Sequence, residues 1–586
     1  MLTRFGAPVF SLAALLAVAA SSRTAAADEP QLPAPPESSV FLGESAWDIP
    51  GWVVVDLDDD LSMSEVKEVE SSLAAKLPGL QFFDSDLGEE TRIQLARVPG
   101  LSVEQAITRV VGDERIEGAE PLAWVRANYV PNDPLYEKQW HMTRVGAETA
   151  WNWGTGRGVT IAVIDTGVAC EDFNGFSKGT DLNATRCVDG WNFIRNDAHA
   201  NDDHGHGTHV AGTIAQTTNN GVGAAGLAFG ARLMPVKVLD KGGWGTTVDI
   251  ANGIRWASDH GAQVINLSLG GPRNSKVLED AVAHARAQGT VVVAAAGNSG
   301  GSVGFPGGST GVIGVSATDP SDKLASFSSR GKGVDIAAPG VDVVQQTICD
   351  GGKNACEIFP GWKGTSMASP HVAGAAALLV GAGLSDPEAV ENALLKSARD
   401  VDPSSEGRAF YGAGILDAGA AARAATLQQG LWRSGLLALF ALLLTVFAKQ
   451  RDKTVSVLNP GFALGGVLAG PGLFLLPFVA SRAFLPVDLL SRPLGELDLF
   501  VGASLHRLLP LANVFVPLAL LVTTFHVKRL RGFVGGIAAG TASFLVSLLA
   551  LGQTFSPFGQ PGLWLWLSLN AVLCLLVARF ALKHRD

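Results

Sequence analysis

At 586 residues the chain is too long for one ordinary core, and 47% hydrophobic residues with a mean hydropathy of +0.24 are high for a wholly soluble protein. Its 44 Lys and Arg against 55 Asp and Glu leave a net charge of -11 without any long basic run, which excludes a nucleic-acid partner from expectation. Several domains are implied, at least one of them in a membrane.

In chain order, Arg4 precedes an apolar run from Pro8 to Ala20, and Ala25-Ala26-Ala27 before Asp28 offers a small-residue cleavage site. Residues 1–27 therefore read as a signal peptide, with an uncleaved anchor helix as the alternative. Residues 30–36 are a proline-rich linker, too stiff for a core. Within 28–130, strand patterns at 52–57, near 80–83, at 91–98 and at 116–125 alternate with helix patterns at 64–77 and 102–111. That order predicts a small α+β domain.

Between 131 and 427 the signals alternate again. Short apolar runs predict buried strands at 160–164, 232–238, 263–267, 291–295 and 312–316, and helices are predicted at 208–215, 247–260, 276–288 and 369–380. Right-handed crossovers then give a doubly wound α/β domain with its site at the carboxyl ends of a parallel sheet.

Three motifs in this region carry chemistry. VTIAVIDTG places Asp165 at the end of a buried strand, HGHGTHVAGT places His206 in the first turn of a helix, and GTSMASPHVAG places Ser366 at another helix N-terminus, with Pro370 expected in the first turn. A serine hydroxyl becomes a useful nucleophile only when a base takes its proton and a carboxylate orients the base. The neighbouring His204, His209 and His371 lack the HGTH context and are read as packing or hydrogen-bonding residues.

The blocks VIDTG, HGTHVAGT, INLSLGGP, AAAGN and GTSMASPHVAG, in that order over about residues 133 to 425, resemble the signature blocks of the subtilisin-like serine peptidases. The resemblance implies a subtilisin-like catalytic domain with Asp165, His206 and Ser366 as its triad. It implies that the side chain of Asn298 and the backbone N–H of Ser366 hold the tetrahedral oxyanion. Extended substrate would pair with Ser268, Leu269 and Gly270 on one edge and with Gly243 and Trp244 on the other. A primary pocket bounded by 294–296, Ser299 and Gly304 holds no charge, which implies broad cleavage after large apolar residues. The 28–130 domain resembles an intramolecular chaperone and inhibitor propeptide, with processing expected in 125–133; an ordinary accessory domain is the alternative. Asp133, Asn220 and Val222 resemble calcium ligands of some family members, so a structural calcium is a candidate, whereas catalysis needs no cofactor.

Five cysteines fit an exported protein. Cys170 with Cys187, and Cys349 with Cys356, are the natural short-range disulfides, although four cysteines allow three pairings and free thiols are not ruled out by sequence. Cys574 is left over in an apolar segment.

Beyond a linker at 406–429, which could be cut although nothing in its residues says that it is, the composition changes abruptly. Residues 428–586 contain apolar segments at 431–448, 462–480, 508–524, 535–551 and 563–582, each near the ~20 residues that span a bilayer as a helix. Five transmembrane helices are expected, with four as the alternative. Lys449, Arg451 and Lys453, then Lys528, Arg529 and Arg531, then Lys583 and Arg585, fall on one side, while loop 552–562 is uncharged and loop 481–507 is mixed. The peptidase is therefore placed outside, periplasmic or extracellular, and the C-terminus in the cytoplasm. Ser543 and Ser547 lie in these segments without a mid-span His or acid, so the region reads as an anchor. The expectation is a membrane-anchored serine endopeptidase acting on proteins or peptides, with its own propeptide and the lipid bilayer as partners. A non-catalytic scaffold with a peptidase-like domain is the other class, and it is disfavoured because no triad or oxyanion position is lost.

Overall fold

The computed structural model describes residues 32, 48–77, 79–83, 91–97, 100, 102–123, 130–451, 459–496, 514–550 and 559–583. The expected signal peptide, nearly all of the proline-rich linker, residues 124–129 of the processing region, residues 508–513 and loop residues 552–558 lie outside the described residues. The described chain forms two compact units, divided near Arg126.

The first unit follows the predicted pattern: β1 Asp48–Leu57, α1 Met63–Lys76, β2 Gln81–Phe83, β3 Ile93–Arg97, α2 Val103–Val110 and β4 Ile116–Ala123. Both helices begin where local chemistry says they should. Ser62 with Glu65, and Ser102 with Gln105, each form a reciprocal capping box that satisfies otherwise orphaned N–H groups. The strands make one antiparallel sheet in the order β2-β3-β1-β4. Alternate residues Val53, Val55 and Leu57 of β1 pack against Val66, Val69 and Leu73 of α1 and against Ala106 and Val110 of α2.

The second unit begins with α3 Trp140–Arg144 and α4 Ala147–Trp153 and is built on a parallel sheet. Its strands are β5 Thr160–Asp165, β6 Arg186–Cys187, β7 Trp191–Asn192, β8 Arg232–Lys237, β9 Val264–Leu267, β10 Val291–Ala295, β11 Ile313–Thr318 and β12 Ile336–Pro339, in the order β12-β11-β10-β9-β5-β8-β6 with β7 also on β8. Period-two alternation explains why these strands are apolar throughout. Ile161, Val163, Val291 and Val293 enter one core, whereas Ala162, Ile164, Val292 and Ala294 enter the other. The second face is covered by α6 Thr247–Asp259 and α7 Lys276–Ala287, and the first by α5 His206–Ala215 and α8 Thr365–Gly381. Helix α8 is buried along almost its whole length, which suits its all-round small apolar sequence. Because the chain leaves β5 in one direction for β8 and returns on its other side as β9, a crevice opens at the carboxyl end of β5. The doubly wound parallel fold is therefore as expected; β6, β7 and β12 are additions. Cys170 is bonded to Cys187 and Cys349 to Cys356, leaving Cys574 as a buried free thiol.

Two expectations are corrected by the C-terminal region. After α9 Pro387–Ser397, the supposed cleavable joint at 406–429 is instead α10 Ser405–Tyr411 followed by α11 Ala418–Arg451, an unbroken 34-residue helix. Its first turns bury Ala418, Ala421, Ala422 and Ala425 in the core of the α/β domain, so that core runs without a break into the apolar helix. Of the five expected spans, three are matched by long apolar helices, the second is interrupted, and the third begins outside the described residues. Three helices are long and apolar enough to cross a membrane, at Ala418–Val446, Lys528–Ala550 and Gly562–Leu582 among the described residues. The second expected span stops as α12 Pro460–Ala469, because Gly470, Pro471 and Gly472 end the helix, and α13 Leu485–Ser491 follows. The third is described only as α14 Phe515–Thr524, followed by α15 Arg531–Ala550 and α16 Gly559–Leu582. Helices α12 and α15 touch backbone to backbone: a methyl on Gly536 would lie 2.1 Å from the carbonyl of Phe462, a contact only the small residue permits.

The segment after α12 folds back on the peptidase. Asp488 sits fully buried among Arg482 (2.7 Å), Arg492 (3.0 Å) and Arg157 (3.2 Å), and Glu496 pairs with Arg433 of α11 (2.7 Å). Burial pushes the Asp488 carboxyl up, but Arg492 and Arg482 outweigh it and hold it at about 2. Arg492 also donates to the carbonyl of Gly381 (2.7 Å), and the hydroxyl of Ser481 to that of Trp151 (3.0 Å). Removing one member of such a cluster leaves buried charges unpaired. Asp488→Ala is expected to cost about 3–5 kcal/mol of stability, read as a lower denaturant midpoint of the detergent-solubilised chain; an unchanged midpoint would show that the cluster is not a stabilising joint.

Candidate active site

Each reactive side chain is placed by the end of a regular element. Asp165 is the last residue of β5, His206 the first of α5, and Ser366 the second of α8. The N-terminus of α5 is brought to the end of β5 by close backbone approach. A methyl on Gly207 would sit 2.0 Å from the carbonyl of Gly167, so only glycine lets α5 start against the turn that follows Asp165.

Asp165 is fully buried and its Oδ1 lies 2.7 Å from Nδ1 of His206. That contact assigns the Nδ1 proton to the carboxylate and leaves Nε2 as the nitrogen able to act as a base. Burial alone lowers the pKa of His206, but the charge and hydrogen bond of Asp165 more than offset it, so the imidazole stands above its ordinary value. His206, Ser366 and Asn298 line one cavity of about 720 Å³.

Ser366 is held differently from expectation. Its hydroxyl donates to the carbonyl of Ser268 (3.1 Å), and the hydroxyl of Ser268 donates to the carbonyl of Ser366 (2.7 Å). The reason lies in Pro370, which falls at the sixth residue of α8 rather than in its first turn. A proline there removes the N–H that would have bonded the Ser366 carbonyl, and Ser268 takes the vacated acceptor. Asn266 completes a buried relay, donating to Ser268 Oγ (3.0 Å) and accepting from Ser369 (2.7 Å).

Asn298 is oriented by Thr365. Its Oδ1 accepts from the backbone N–H (2.8 Å) and the hydroxyl (3.0 Å) of Thr365, so the amide nitrogen is the end left facing the cavity beside Ser366. A donor fixed in this way needs no reorganisation when negative charge develops. Leu269, Gly270, Asn298, Gly304 and Ser366 line an adjoining cavity of about 410 Å³ without a charged residue. Gly243 and Trp244 lie in a turn closed by Asp240, and Trp244 is 79% exposed.

Other predicted residues have structural roles. His371 meets buried His141 (2.8 Å), and His209 stacks on Trp362 and contacts the carbonyl of Pro360 (3.1 Å). Burial brings His209 and His371 down to about 4, so both are neutral packing groups at ordinary pH. The calcium candidates meet around one loop, where their side chains bond to protein groups. Asp133 accepts the N–H groups of Asn219 and Asn220, and Asn220 accepts that of Val222 while its amide nitrogen donates to Asp181. Their oxygens thus stitch one loop, and no group of three or more His, Cys, Asp or Glu able to hold a metal occurs among the described residues.

Sequence reasoning overlooked the groups that hold the site. Asp202 takes the N–H groups of His204, Gly205 and Thr208 and the hydroxyls of Thr166 and Thr208, capping the helix that starts at His206. Buried Lys237 ties the carbonyls of Thr166 (2.5 Å) and Leu239 (2.9 Å) to Asp203. No local signal marked Asp202, which lies four residues before the helix while Gly205 holds the N-cap position where such residues are preferred.

Fold and site together define a serine peptidase built on an Asp-His-Ser arrangement. Residues 156–414 match the Subtilase family. The chain is 43% identical over 259 residues to Thermitase of Thermoactinomyces vulgaris, which covers 44% of this chain and 88% of that protein. It is 37% identical over 424 residues to Alkaline protease of Alkalihalobacillus alcalophilus, covering 71% and 99% respectively. It is 43% identical over 290 residues to Thermophilic serine proteinase of Bacillus sp. (strain AK1), covering 49% and 69%. The chain belongs to the subtilase family, and its activity class is that of a serine endopeptidase.

The raised pKa of His206 depends on the buried carboxylate. Asp165→Asn should lower it, as followed by proton titration of the imidazole; an unmoved titration would mean that the carboxylate does not govern the ring.

Proposed function

We propose that this chain is an exported, membrane-anchored endopeptidase that cuts peptide bonds through Asp165, His206 and Ser366 by way of an acyl-enzyme. The observation that carries the reading is the placement of Ser366, the free nitrogen side of His206 and the inward amide of Asn298 around one cavity, with His206 bonded to buried Asp165. As substrate enters, the Ser366 hydroxyl turns from the Ser268 carbonyl to His206, which takes its proton as the oxygen attacks the peptide carbonyl. The Asn298 amide and the Ser366 backbone N–H receive the oxyanion. His206 then returns the proton to the leaving amine, and water repeats the sequence to free the acyl group. Subtilases need no catalytic cofactor for these steps.

The uncharged cavity beside Gly304 supports broad cleavage after large apolar residues, with the backbone at Ser268, Leu269 and Gly270 pairing the substrate on one edge. Exposed Trp244, next to Gly243, supports a distal apolar subsite on the other. We assign residues 1–27 to a leader, 28–130 to a propeptide that is both chaperone and inhibitor, 131–427 to the peptidase, and 428–586 to the anchor. The compact α+β fold of the first unit supports the second assignment, and three apolar helices of membrane-crossing length support the last. The basic residues Lys528, Arg529 and Arg531 between α14 and α15 support a cytoplasmic position for that turn and an outward peptidase.

Ser366→Ala is expected to abolish both hydrolysis of a peptide substrate and the maturation cut, read by N-terminal sequencing of membrane-purified chain. A Ser366→Ala chain that still hydrolyses peptide would refute the assignment. Asn298→Ala should retain the acyl-enzyme route at about 10²- to 10³-fold lower kcat. Because His206 must be unprotonated to act, kcat/KM should fall on acidification through an apparent pKa above the ordinary histidine value and hold steady on the alkaline side. A profile that falls with rising pH would contradict a histidine base.

A further inference from the structure

Helices α4, α8 and α11 lie side by side and run in the same sense. Just before α4, the carbonyl of Val145 accepts from the N–H of Ala418 at the start of α11 (2.8 Å), and in the preceding α3 His141 meets His371 of α8 (2.8 Å). Farther along, Gly154 lies against Leu378, Gly156 against Gly381, and Gly383 against Arg433. Later residues of each helix meet later residues of the others. Helices α4 and α8 therefore end at the buried cluster of Arg157, Arg433, Arg482, Asp488, Arg492 and Glu496, and α11 passes it at Arg433. Helix α11 continues beyond Arg433 in the same direction to Arg451, as the later part of the apolar helix that includes the candidate span Ala418–Val446.

Ser366 is at the opposite end of α8, fifteen residues before Gly381. At the ordinary helical rise that places the nucleophile about 22 Å from the cluster, on the side away from the continuing helix. The joint has no slack on which the domain could tip over. Arg492 holds the end of α8 at the Gly381 carbonyl, Arg482 N–H and Ser481 Oγ hold the end of α4 at Asn152 and Trp151, and Phe478 packs edge-on against Trp153 (5.0 Å).

We propose that this joint is a ruler that selects substrates by height. Resting on the reading of the chain as a membrane-anchored peptidase, it restricts cleavage to soluble polypeptides and to membrane-anchored proteins whose scissile bond stands at least about seven extended residues outside the bilayer. Bonds closer to the membrane are spared whatever their sequence.

The test uses the full chain co-reconstituted in phosphatidylcholine vesicles with single-span substrates that carry one cleavable segment behind spacers of about 3 to about 20 extended residues. The same segment is also supplied as a soluble peptide. Cleavage should fall to background below a spacer of about seven residues and reach a plateau above it, while the soluble peptide is cut throughout. Equal rates at the shortest and longest spacers overturn the ruler. A soluble peptide left uncut overturns the peptidase reading itself, and the ruler with it. The double variant Asp488→Ala, Arg492→Ala should shift the threshold to shorter spacers when cleavage of each anchored substrate is scored relative to that of the soluble peptide by the same preparation; a folded variant with an unmoved threshold overturns the part assigned to the joint. Should that variant fail to fold, the spacer series on the unaltered chain decides the matter.

Discussion

A single buried helix, α8, is the constraint on which the other features depend. Its N-terminus presents Ser366 to the crevice at the end of β5, its length passes through the core beneath the sheet, and its C-terminus is gripped by Arg492. Such a helix cannot shift at one end without disturbing close packing along its length. Ser366, the Asn298 side chain pinned by Thr365, and the charged cluster around Arg492 are thereby fixed relative to one another. The proline that interrupts its hydrogen-bond ladder is part of this arrangement. It frees one carbonyl, and that carbonyl ties Ser366 to Ser268, on the strand extension expected to pair with substrate.

Legibility in the sequence differed between these parts for physical reasons. The strands of the parallel sheet read clearly because both faces are buried, so Thr160 to Asp165 and Val291 to Ala295 show as unbroken apolar runs. The two helices of the first unit read clearly because Ser62 with Glu65 and Ser102 with Gln105 announce them locally. Asp165, His206, Asn298 and Ser366 stood out because glycine and small residues around them make sense only where backbones crowd a reactive group.

What stayed hidden depends on contacts between distant segments. No local pattern connects Asp488 to Arg157, or Pro370 to Ser268, since partner and distance are decided by the tertiary fold. The joint at 406–429 was misread for a related reason. Its many alanines suit a helix and an unstructured connector alike in composition, and only burial of Ala418, Ala421, Ala422 and Ala425 separates the two. The apolar stretch at 462–480 likewise has the composition of a span, yet Gly470, Pro471 and Gly472 break it after ten helical residues.

The unbroken course of α11 bears on whether the catalytic part can be shed. A scissor acting between Ala418 and Ala425 would have to unwind turns that belong to the core, and one acting farther along would leave the apolar face below Arg433 hanging from the product. Neither position coincides with a boundary between the core and the apolar helix, because the one continues into the other without a break.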